Sequence, residues 1–513
     1  MKLVTAGTMR ELDGYTINTV GIPGVVLMES AGRACAERAA ELMTERDLDT
    51  ALVLCGPGNN GGDGFVVARH LSDWGFDPVV ALFGRRASVK GDARVFLNTL
   101  DHFPVPIIEV TGDLPEDTLM AAAAGGIVVD ALFGTGLQRP IEGRYARAIE
   151  SVNSLRCPVL AVDIPSGVCS DTGRIMGTAL NADVTVTFGA AKIGHFSYPG
   201  RSRCGEVEVV DIGIPGEAID EAPGAWLLDP GFAARAFPPR DAESFKNSFG
   251  HLLVVGGLKG KSGAALLSAM GAVRSGSGLV TIATDREARG NIEGRFPELM
   301  VEGPFLVDGD HIAVDEDHFS RLLESKTGVV IGPGLSTLSG ADSILKIAID
   351  AGLPIVLDAD ALNLMAAEPD REWGLGPDSV LTPHPGEAGR LLVRPTSEVQ
   401  ADRVRSAAEL SDQTGAVVVL KGAGTLIAAP DNQMWINNTG GPALATAGTG
   451  DVLAGAIGGI IARGIPTWAA AAAAVYIHGL AGDLAAGSGN VHSISASDVL
   501  DRLSEAIASV CVP

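Results

Sequence analysis

Short apolar strands alternate with helical stretches along this chain, and that alternation limits the folds it can adopt. In the first half the apolar runs include ALVL from residue 51, VVAL from residue 79 and GIVVDALFG from residue 126. The pattern restarts in the second half with HLLVVGG from residue 251 and VVIGPG from residue 329. Strands separated by helices form parallel sheets, because a parallel connection must return to the other end of the sheet. The sequence therefore predicts an α/β protein.

The alternation is interrupted in residues 214–243, where prolines cluster and the apolar periodicity is weak. A chain of 513 residues also exceeds the size of one ordinary domain. We therefore predict an N-terminal domain of residues 1–218, a linker of residues 219–240 and a C-terminal domain of residues 241–513.

The composition excludes several classes of partner. Lys and Arg number 38 against 62 Asp and Glu, for a formal net charge of -24. Nucleic acids and anionic membranes require basic surfaces, so neither is an expected partner. The cysteines form no C-x-x-C pair, and the apolar residues 452–477 are interrupted by Arg463 and Pro466. We expect a cytoplasmic protein with reduced thiols, without a membrane span or a structural zinc.

The segment GPGNNGGDG, residues 56–64, follows an apolar strand and precedes a helical stretch. A glycine-rich turn at this place presents backbone N–H groups and the positive end of the helix dipole to an anion. The turn also carries Asn59, Asn60 and Asp63, which glycine alone would not require. A plain turn without a ligand remains the alternative.

The segment ATAGTGD, residues 445–451, leads small residues directly into an apolar helix. The amides of residues 447–450 would form an anion hole at the helix N-terminus. Asp451 lies in the first turn. It could cap the helix, or it could take a proton from a hydroxyl while the anion hole holds a transferring phosphoryl group.

These motifs together resemble a known family. In the second half, AGTGD resembles the anion hole and aspartate of the ribokinase superfamily, and GPGLS, DADALN, TPHPGE and KGAGT narrow the resemblance to ADP- or ATP-dependent NAD(P)H-hydrate dehydratases. In the first half, GPGNNGGDG, VDALFGTGL, DIPSG and AAKIGH resemble NAD(P)H-hydrate epimerases. Their order is similar to that of bifunctional NAD(P)H-hydrate repair enzymes over nearly the whole chain.

The resemblance implies a fold and a chemistry for each half. It implies an N-terminal Rossmann-like three-layer domain that interconverts the R and S epimers of NADH or NADPH hydrated at C6. It implies a C-terminal ribokinase-like domain that dehydrates the S epimer, using ADP to phosphorylate the hydroxyl and releasing AMP and phosphate. Two rivals remain open: a small-alcohol kinase of ribokinase type with a regulatory N-terminal domain, and a non-catalytic nucleotide sensor.

The resemblance also implies the site residues of the epimerase half. Asp163 is the expected catalytic carboxylate, and Lys192 is an acid–base or electrostatic partner unless it is simply a solvated lysine. A potassium ion is expected at Asn60, Asp130 and Ser166, because a hard cation prefers oxygen ligands. The expected hydrate-binding residues are Asn59, Asn60, Gly61, Gly62, Asp63, Gly134, Thr135, Gly136, Leu137, Gln138, Arg139, Pro140 and Asp163.

In the dehydratase half, the resemblance implies hydrate contacts at Ala264, Gly334, His384 and Asp451, with Asp451 as the catalytic base. The expected nucleotide-binding residues are Lys421, Gly422, Ala423, Gly424, Thr425, Gly448, Thr449 and Gly450. Magnesium is expected to be held through water by Glu387, Asp358 and Asp360.

Two positions depart from the family pattern, since Ala447 and Ser336 stand where glycine is usual, and they leave the preference for ADP over ATP open. The expected partners are NADHX, NADPHX and ADP, and the expected assembly is a homo-oligomer.

Overall fold

The computed structural model describes residues 1–487 and 490–511. The chain forms two compact units, Lys2–Ala225 and Trp226–Pro513, and Met1 belongs with the second. Each unit contains a largely parallel sheet with helices on its faces, so the predicted α/β class with two parallel-sheet halves is confirmed.

The first unit is built on a seven-stranded sheet in which all neighbours are parallel, in the order β4-β3-β2-β5-β6-β7-β9. Its strands, with the separate parallel pair β1 and β8, are β1 (Lys2–Val4), β2 (Thr50–Cys55), β3 (Asp77–Leu82), β4 (Ile107–Glu109), β5 (Gly126–Ala131), β6 (Val159–Val162), β7 (Val184–Phe188), β8 (Ala191–Lys192) and β9 (Glu206–Val210). Its helices are α1 (Ala6–Tyr15), α2 (Gly24–Glu45), α3 (Asn59–Asp73), α4 (Gly91–Thr99), α5 (Glu116–Ala123), α6 (Gly143–Ser154) and α7 (Gly216–Glu221).

The residues of strand β2 from Ala51 to Cys55 are all apolar because both faces of the strand are buried. Val53 and Cys55 pack into one core layer, whereas Leu52 and Leu54 pack into the layer on the opposite face. Successive side chains of a strand point to opposite faces, so a strand covered on both sides needs apolar residues at every position. This central position places the carboxyl end of β2 at the edge where the first site forms.

The second unit has a mixed sheet in the order β14-β13-β12-β11-β15-β16-β17-β18-β19-β20-β10. Its strands are β10 (Ala225–Leu227), β11 (His251–Val255), β12 (Leu279–Asp285), β13 (Leu299–Asp308), β14 (His311–Val314), β15 (Gly328–Ile331), β16 (Ile355–Leu357), β17 (Ser379–Leu381), β18 (Val417–Leu420), β19 (Leu426–Ala428) and β20 (Met434–Ile436). Its helices are α8 (Pro230–Ala234), α9 (Ser262–Arg274), α10 (Arg286–Ile292), α11 (Glu316–Glu324), α12 (Ala341–Asp350), α13 (Asp360–Ala367), α14 (Pro385–Leu391), α15 (Thr396–Ala401), α16 (Arg403–Thr414), α17 (Thr449–Ala462), α18 (Thr467–Ala486) and α19 (Ala496–Val510).

Helices α17 and α18 occupy the core of the second unit. In α17, a side chain at Gly455 would lie 1.8 Å from the carbonyl oxygen of Ser268, so glycine is required where α9 crosses. In the described part of the chain, α18 is the one helix long and apolar enough to span a membrane, and 67% of that stretch is buried inside the protein. Burial in the core accounts for its apolar sequence.

Residues 219–240, predicted as a linker, contain ordered elements. Strand β10 pairs with β20, with Trp226 opposite Trp435. Beyond it, Leu228, Ala233 and Ala236 are buried in the core of the second unit. These residues therefore contribute to the packing of the second unit.

Candidate active sites

The first candidate site lies at the carboxyl ends of β2, β5 and β6, where open α/β sheets bind ligands. A cavity of about 790 Å³ lies there. The structure brings nine predicted residues to its wall: Asn59, Asn60, Asp63, Gly134, Thr135, Gly136, Leu137, Asp163 and Lys192. Gly61 and Gly62 are buried beneath the wall. The lining of this cavity ends at Leu137, and Gln138, Arg139 and Pro140 are exposed beyond it.

The Asn-Asn-Gly-Gly run is the first turn of α3 rather than a loop, because the helix begins at Asn59 with Gly58 as its N-cap. Close packing explains the glycines within it. A Cβ at Gly61 would lie 1.9 Å from the carbonyl oxygen of Gly56, and one at Gly62 would lie 2.6 Å from the sulfur of Met28. The free N–H groups of this first turn lie at the cavity, as an anion site requires.

Asp163 and Lys192 form a buried ion pair beside the cavity. The Lys192 Nζ donates to Asp163 Oδ1 at 2.6 Å and to Thr187 Oγ1 at 2.8 Å, and Thr187 Oγ1 donates to the same carboxylate oxygen at 3.0 Å. Lys192 is only 1% exposed, so the alternative of a solvated lysine is wrong. Burial alone would raise the pKa of Asp163, but the Lys192 charge and these hydrogen bonds hold it below its usual value.

Three further carboxyl groups line the same cavity, those of Asp13, Asp63 and Asp92. Burial, and then the negative charge of Asp163, raise the pKa of Asp63 well above its usual value. Burial also raises the pKa of Asp13, a residue of α1 that sequence reasoning missed. Helix α1 lies outside the recognised motifs, and nothing in its sequence marks Asp13 as a cavity residue.

The predicted cation ligands have the oxygen chemistry that a hard monovalent ion needs. Asp130 is fully buried and accepts hydrogen bonds from the Ser166 amide and hydroxyl, both at 2.7 Å. Burial raises the pKa of Asp130 to about 6 against the lowering effect of these bonds. Within the described chain, the buried Nδ2 of Asn60 has no hydrogen-bond partner. The structure thus brings the Asp130 carboxylate and Ser166 together, and Asn60 lines the cavity. The free Nδ2 is a donor and not a ligand, so the fit to a cation rests on the oxygens of the three side chains.

The second candidate site surrounds the N-terminus of α17. Gly448 is the N-cap, with φ of 91°, and no side chain caps this helix. Asp451 is therefore not a cap, and that alternative is wrong. Burial, and then the charge of Asp358, raise the pKa of Asp451 to about 7, although Lys421 lowers it. A carboxylate with a pKa near neutrality suits a general base.

Lys421 follows β18 and faces this helix end. A Cβ at Gly450 would lie 3.5 Å from the Lys421 Nζ. The same Nζ donates to Asp358 Oδ1 at 2.7 Å and lies 3.9 Å from Glu387 Oε2. Burial lowers the pKa of Lys421, but these two carboxylates outweigh it and raise the pKa, so the ammonium stays charged. One cluster thus contains Lys421, which is predicted to bind the nucleotide, and Asp451. It also contains Asp358 and Glu387, two of the carboxylates predicted to hold magnesium.

His384 is the N-cap of α14 rather than a merely exposed loop residue. Its Nδ1 accepts hydrogen bonds from the amides of Gly386 at 3.0 Å and Glu387 at 3.4 Å. The carboxylate of Glu387 in turn accepts from the His384 amide at 2.8 Å. Burial, and then the charge of Lys421, lower the pKa of His384, so the imidazole is neutral.

The remaining predicted residues border this cluster. Asp360 accepts from the Ser336 amide at 2.8 Å and from Lys261 Nζ at 3.0 Å. Gly334 has φ of 65°, and a Cβ there would lie 2.9 Å from the Lys261 backbone oxygen. Ala264 is half-buried in the first turn of α9. Within the described residues, no three His, Cys, Asp or Glu side chains are arranged to bind a metal directly.

Arg403 is a second residue that sequence reasoning missed. It is 5% exposed, and its guanidinium donates to the backbone carbonyls of Leu420 at 3.1 Å, Lys421 at 3.3 Å and Ala423. Burial lowers its pKa to about 10. The guanidinium therefore shapes the predicted nucleotide loop, but an arginine that starts an amphipathic helix carries no sequence signal of this role.

Comparison with known proteins matches one family to each half of the chain. A family described as "YjeF-related protein N-terminus" matches residues 24–194, and a family described as "NAD(P)H-hydrate dehydratase" matches residues 252–505. The bifunctional NAD(P)H-hydrate repair enzyme of Moorella thermoacetica is 39% identical over 510 residues, which cover 98% of this chain and 96% of that protein. This chain belongs to the family of bifunctional NAD(P)H-hydrate repair enzymes.

Another repair enzyme, from Coxiella burnetii, is 38% identical and covers 96% of this chain and 97% of its own. Among solved structures, a ribokinase-like superfamily protein from Enterococcus faecalis is 28% identical, with a TM-score of 0.50, and covers 56% of this chain and 97% of its own. The predicted ribokinase-like fold is therefore confirmed.

Proposed function

We propose that this chain repairs hydrated NADH and NADPH at two active sites, one in each unit. The first site epimerises the R and S hydrates. The second dehydrates the S epimer with ADP as the phosphoryl donor. The observation that supports the proposal most directly is Asp451, a carboxylate with a pKa of about 7 in the first turn of α17, close to the Lys421 ammonium.

In the epimerase site, the cavity receives the hydrated nicotinamide end of the dinucleotide. The N–H groups at the start of α3 and the turn Gly134–Leu137 bind the substrate. Asp163 is ionised, because Lys192 pairs with it at 2.6 Å, and it takes the proton of the C6 hydroxyl as the C6–N1 bond breaks with its electron pair on N1. N1 then attacks the other face of the C6 aldehyde, and Asp163 returns the proton to the oxygen. Both groups are nearly excluded from solvent, which strengthens their electrostatic effect.

Asn60, Asp130 and Ser166 would hold a potassium ion next to this cavity. The ion would supply positive charge near the bound substrate. The three residues offer amide, carboxylate and hydroxyl or carbonyl oxygens, which suit a hard cation better than a transition metal.

In the dehydratase site, backbone amides of residues 447–450 and the Lys421 ammonium hold the phosphates of ADP. Asp451 takes the proton from the C6 hydroxyl as that oxygen attacks the β-phosphorus of ADP, and AMP leaves. The C6–O bond then breaks, phosphate departs with the electron pair, and loss of a ring proton restores NAD(P)H. Glu387, Asp358 and Asp360 would hold magnesium through water, and magnesium would neutralise phosphate charge.

The test adds ADP and magnesium to the purified protein and hydrated NADH. The absorbance of the dihydronicotinamide band should recover, and AMP and phosphate should appear in equal amounts. A stable phosphorylated hydrate would instead indicate a small-alcohol kinase, and ADP binding without turnover would indicate a nucleotide sensor. Replacing ADP by ATP measures the donor preference that Ala447 and Ser336 leave open.

We further propose that the enzyme is a cytoplasmic homo-oligomer that uses no nucleic-acid or membrane partner. Its surface carries an excess of acidic residues, with a formal net charge of -24 for the chain. Light scattering on the purified protein measures the assembly, and a mass equal to one chain would contradict it.

A further inference from the structure

His195 is fully buried beneath the epimerase cavity, and both of its ring nitrogens are hydrogen-bonded to the backbone. The Lys192 amide donates to His195 Nδ1 at 3.0 Å. The other nitrogen, Nε2, lies 2.8 Å from the carbonyl oxygen of Asp163. Because Nδ1 accepts a hydrogen bond, it carries no hydrogen of its own, so Nε2 carries the ring hydrogen and donates it to the carbonyl oxygen of Asp163. These partners require the neutral imidazole.

The two hydrogen bonds of His195 link the backbones of Asp163 and Lys192, and the side chains of the same two residues form the ion pair. Asp163 and Lys192 are connected once by the ion pair at 2.6 Å and again through the His195 ring. The result is a closed ring of contacts in which the backbone and the side chain of each residue are both held. Such a ring leaves little freedom for the distance between carboxylate and ammonium.

The backbone at Asp163 needs this support. Its φ is 69°, in the left-handed region that a non-glycine residue adopts only under strain. A strained backbone conformation persists only where surrounding contacts hold it. The hydrogen bond from His195 to the carbonyl oxygen of Asp163 is one such contact.

The turn that carries His195 is itself fixed. The Gly194 amide donates to the carbonyl oxygen of Ser170 at 2.6 Å, and a Cβ at Gly194 would lie 2.2 Å from the carbonyl oxygen of Cys169. His195 therefore acts from a rigid support.

We infer that His195 is a positioning residue of the epimerase site. Its neutral ring holds the carbonyl of Asp163 and the amide of Lys192, so that the Asp163 carboxylate faces the substrate cavity in one orientation. Burial, and then the positive charge of Lys192, lower the pKa of His195 to about 4, which keeps the ring neutral. The inference rests on the proposed role of Asp163 in epimerisation.

Two substitutions separate the two hydrogen bonds. Asn places an amide at the position of Nδ1, so His195→Asn can keep the bond from Lys192 and loses the bond to Asp163. Gln places an amide at the position of Nε2, so His195→Gln can keep the bond to Asp163. We expect His195→Asn to lower kcat for epimerisation by about 10- to 100-fold with little change in KM, since a small misplacement of a catalytic group has effects of this size. His195→Gln should recover most of that loss.

The measurement uses the full chain and follows R and S hydrate by chiral separation at several substrate concentrations. His102→Asn, an exposed substitution in the same unit, is the matched control and should behave as the parent. An unchanged KM shows that the cavity has folded. If His195→Asn keeps kcat within about twofold of the parent, or if Asn and Gln lower kcat and raise KM equally, the positioning role is wrong.

Asp163→Asn distinguishes this inference from the proposed function. If Asp163→Asn stops epimerisation while the His195 variants do not, Asp163 keeps its role and the inference about His195 is wrong. If Asp163→Asn epimerises at the parent rate, the proposed role of Asp163 fails, and the inference fails with it.

Discussion

At the scale of single residues, the two sites show how the surroundings of an aspartate set its pKa. Asp163 and Asp451 are both largely buried aspartates, and burial raises the pKa of each. The Lys192 ammonium at 2.6 Å outweighs burial at Asp163, whereas Lys421 at the second site is shared with Asp358 and leaves the pKa of Asp451 at about 7. One carboxylate is therefore ionised at neutral pH, and the other can accept a proton near neutral pH.

Asp451→Asn should nearly stop dehydration of the S hydrate. Loss of a general base lowers a rate by about 10²- to 10⁴-fold, while the anion hole consists of backbone amides and should still bind ADP. Calorimetry for ADP and the absorbance assay separate binding from turnover, and epimerisation provides the control. A variant that dehydrates within a few-fold of the parent would show that Asp451 is not the base.

The pH dependence of dehydration follows from the same carboxyl group. Asp451 acts only when deprotonated, so kcat/KM should be constant above about pH 7 and fall tenfold per pH unit below it. The residual activity of Asp451→Asn, measured by the same assay, should lack this dependence. A profile of the parent that stays flat from pH 8 to pH 5.5 would contradict the assignment.

Asp163→Asn should abolish interconversion of the R and S hydrates. The amide cannot accept the proton and removes the negative charge that Lys192 pairs with. Dehydration of purified S hydrate should be unchanged, because Asp451 and Asp163 belong to different units. Chiral separation over time measures the first reaction and absorbance the second; an unchanged interconversion rate would remove Asp163 from the mechanism.

At the scale of elements, each site is formed where strand ends meet the start of a helix. In the first, the N-terminal turn of α3 meets the ends of β5 and β6. In the second, the turn after β18 meets the N-terminus of α17, and Arg403 at the start of α16 holds that turn through three backbone carbonyls. Helix α16 thus contributes to the loop that is predicted to bind the nucleotide.

Arg403→Lys should weaken ADP binding. An ammonium cannot reproduce the planar set of donors that reaches three carbonyls, and each lost charged hydrogen bond is worth about 1.5–3 kcal/mol. We expect the KM for ADP to rise about tenfold or more, with kcat at saturating ADP largely kept. Arg405→Lys, an exposed change on the same helix, is the control. Equal KM values for the two variants would show that Arg403 does not shape the loop.

At the scale of the whole molecule, the packing of residues 219–240 decides where the chain can be divided. Ala222 is buried in the core of the first unit, whereas Leu228, Ala233 and Ala236 are buried in that of the second. Phe232 lies with its ring centroid 6.2 Å from that of Trp435. A cut between residues 225 and 226 removes only Ala225 from β10 and keeps these buried residues with their own cores. A fragment that begins at residue 240 lacks all of β10 and α8.

We therefore expect fragment 226–513 to fold and dehydrate the S hydrate, and fragment 1–225 to epimerise. Fragment 240–513 should be several kcal/mol less stable, because each large apolar side chain lost from a core costs about 1.5–3 kcal/mol. Thermal unfolding of the two C-terminal fragments compares them directly. Equal unfolding temperatures would mean that residues 226–239 are the linker that the sequence predicted.

Much of the protein could be predicted from local sequence. Alternation of strands and helices predicted the α/β class, and ordered motifs predicted the repair family; both are confirmed. The division at residues 219–240 and the site, potassium and assembly assignments stay predictions. Local sequence suffices to predict the fold class and the family, because strand periodicity and glycine-rich turns depend only on residues that are neighbours in the chain.

Only the tertiary structure decided which residues far apart in the sequence contact each other. Lys192 could have been solvated, and only folding places its ammonium against a carboxylate 29 positions earlier, at 1% exposure. Asp13 and Arg403 lie outside every motif, and the motif AAKIGH that contains His195 assigns that residue no role. Their roles depend on which groups the fold brings beside them. Sequence thus determined which residues can do the chemistry. The fold decided their charge and orientation, because burial and distance between charges exist only once the chain has packed.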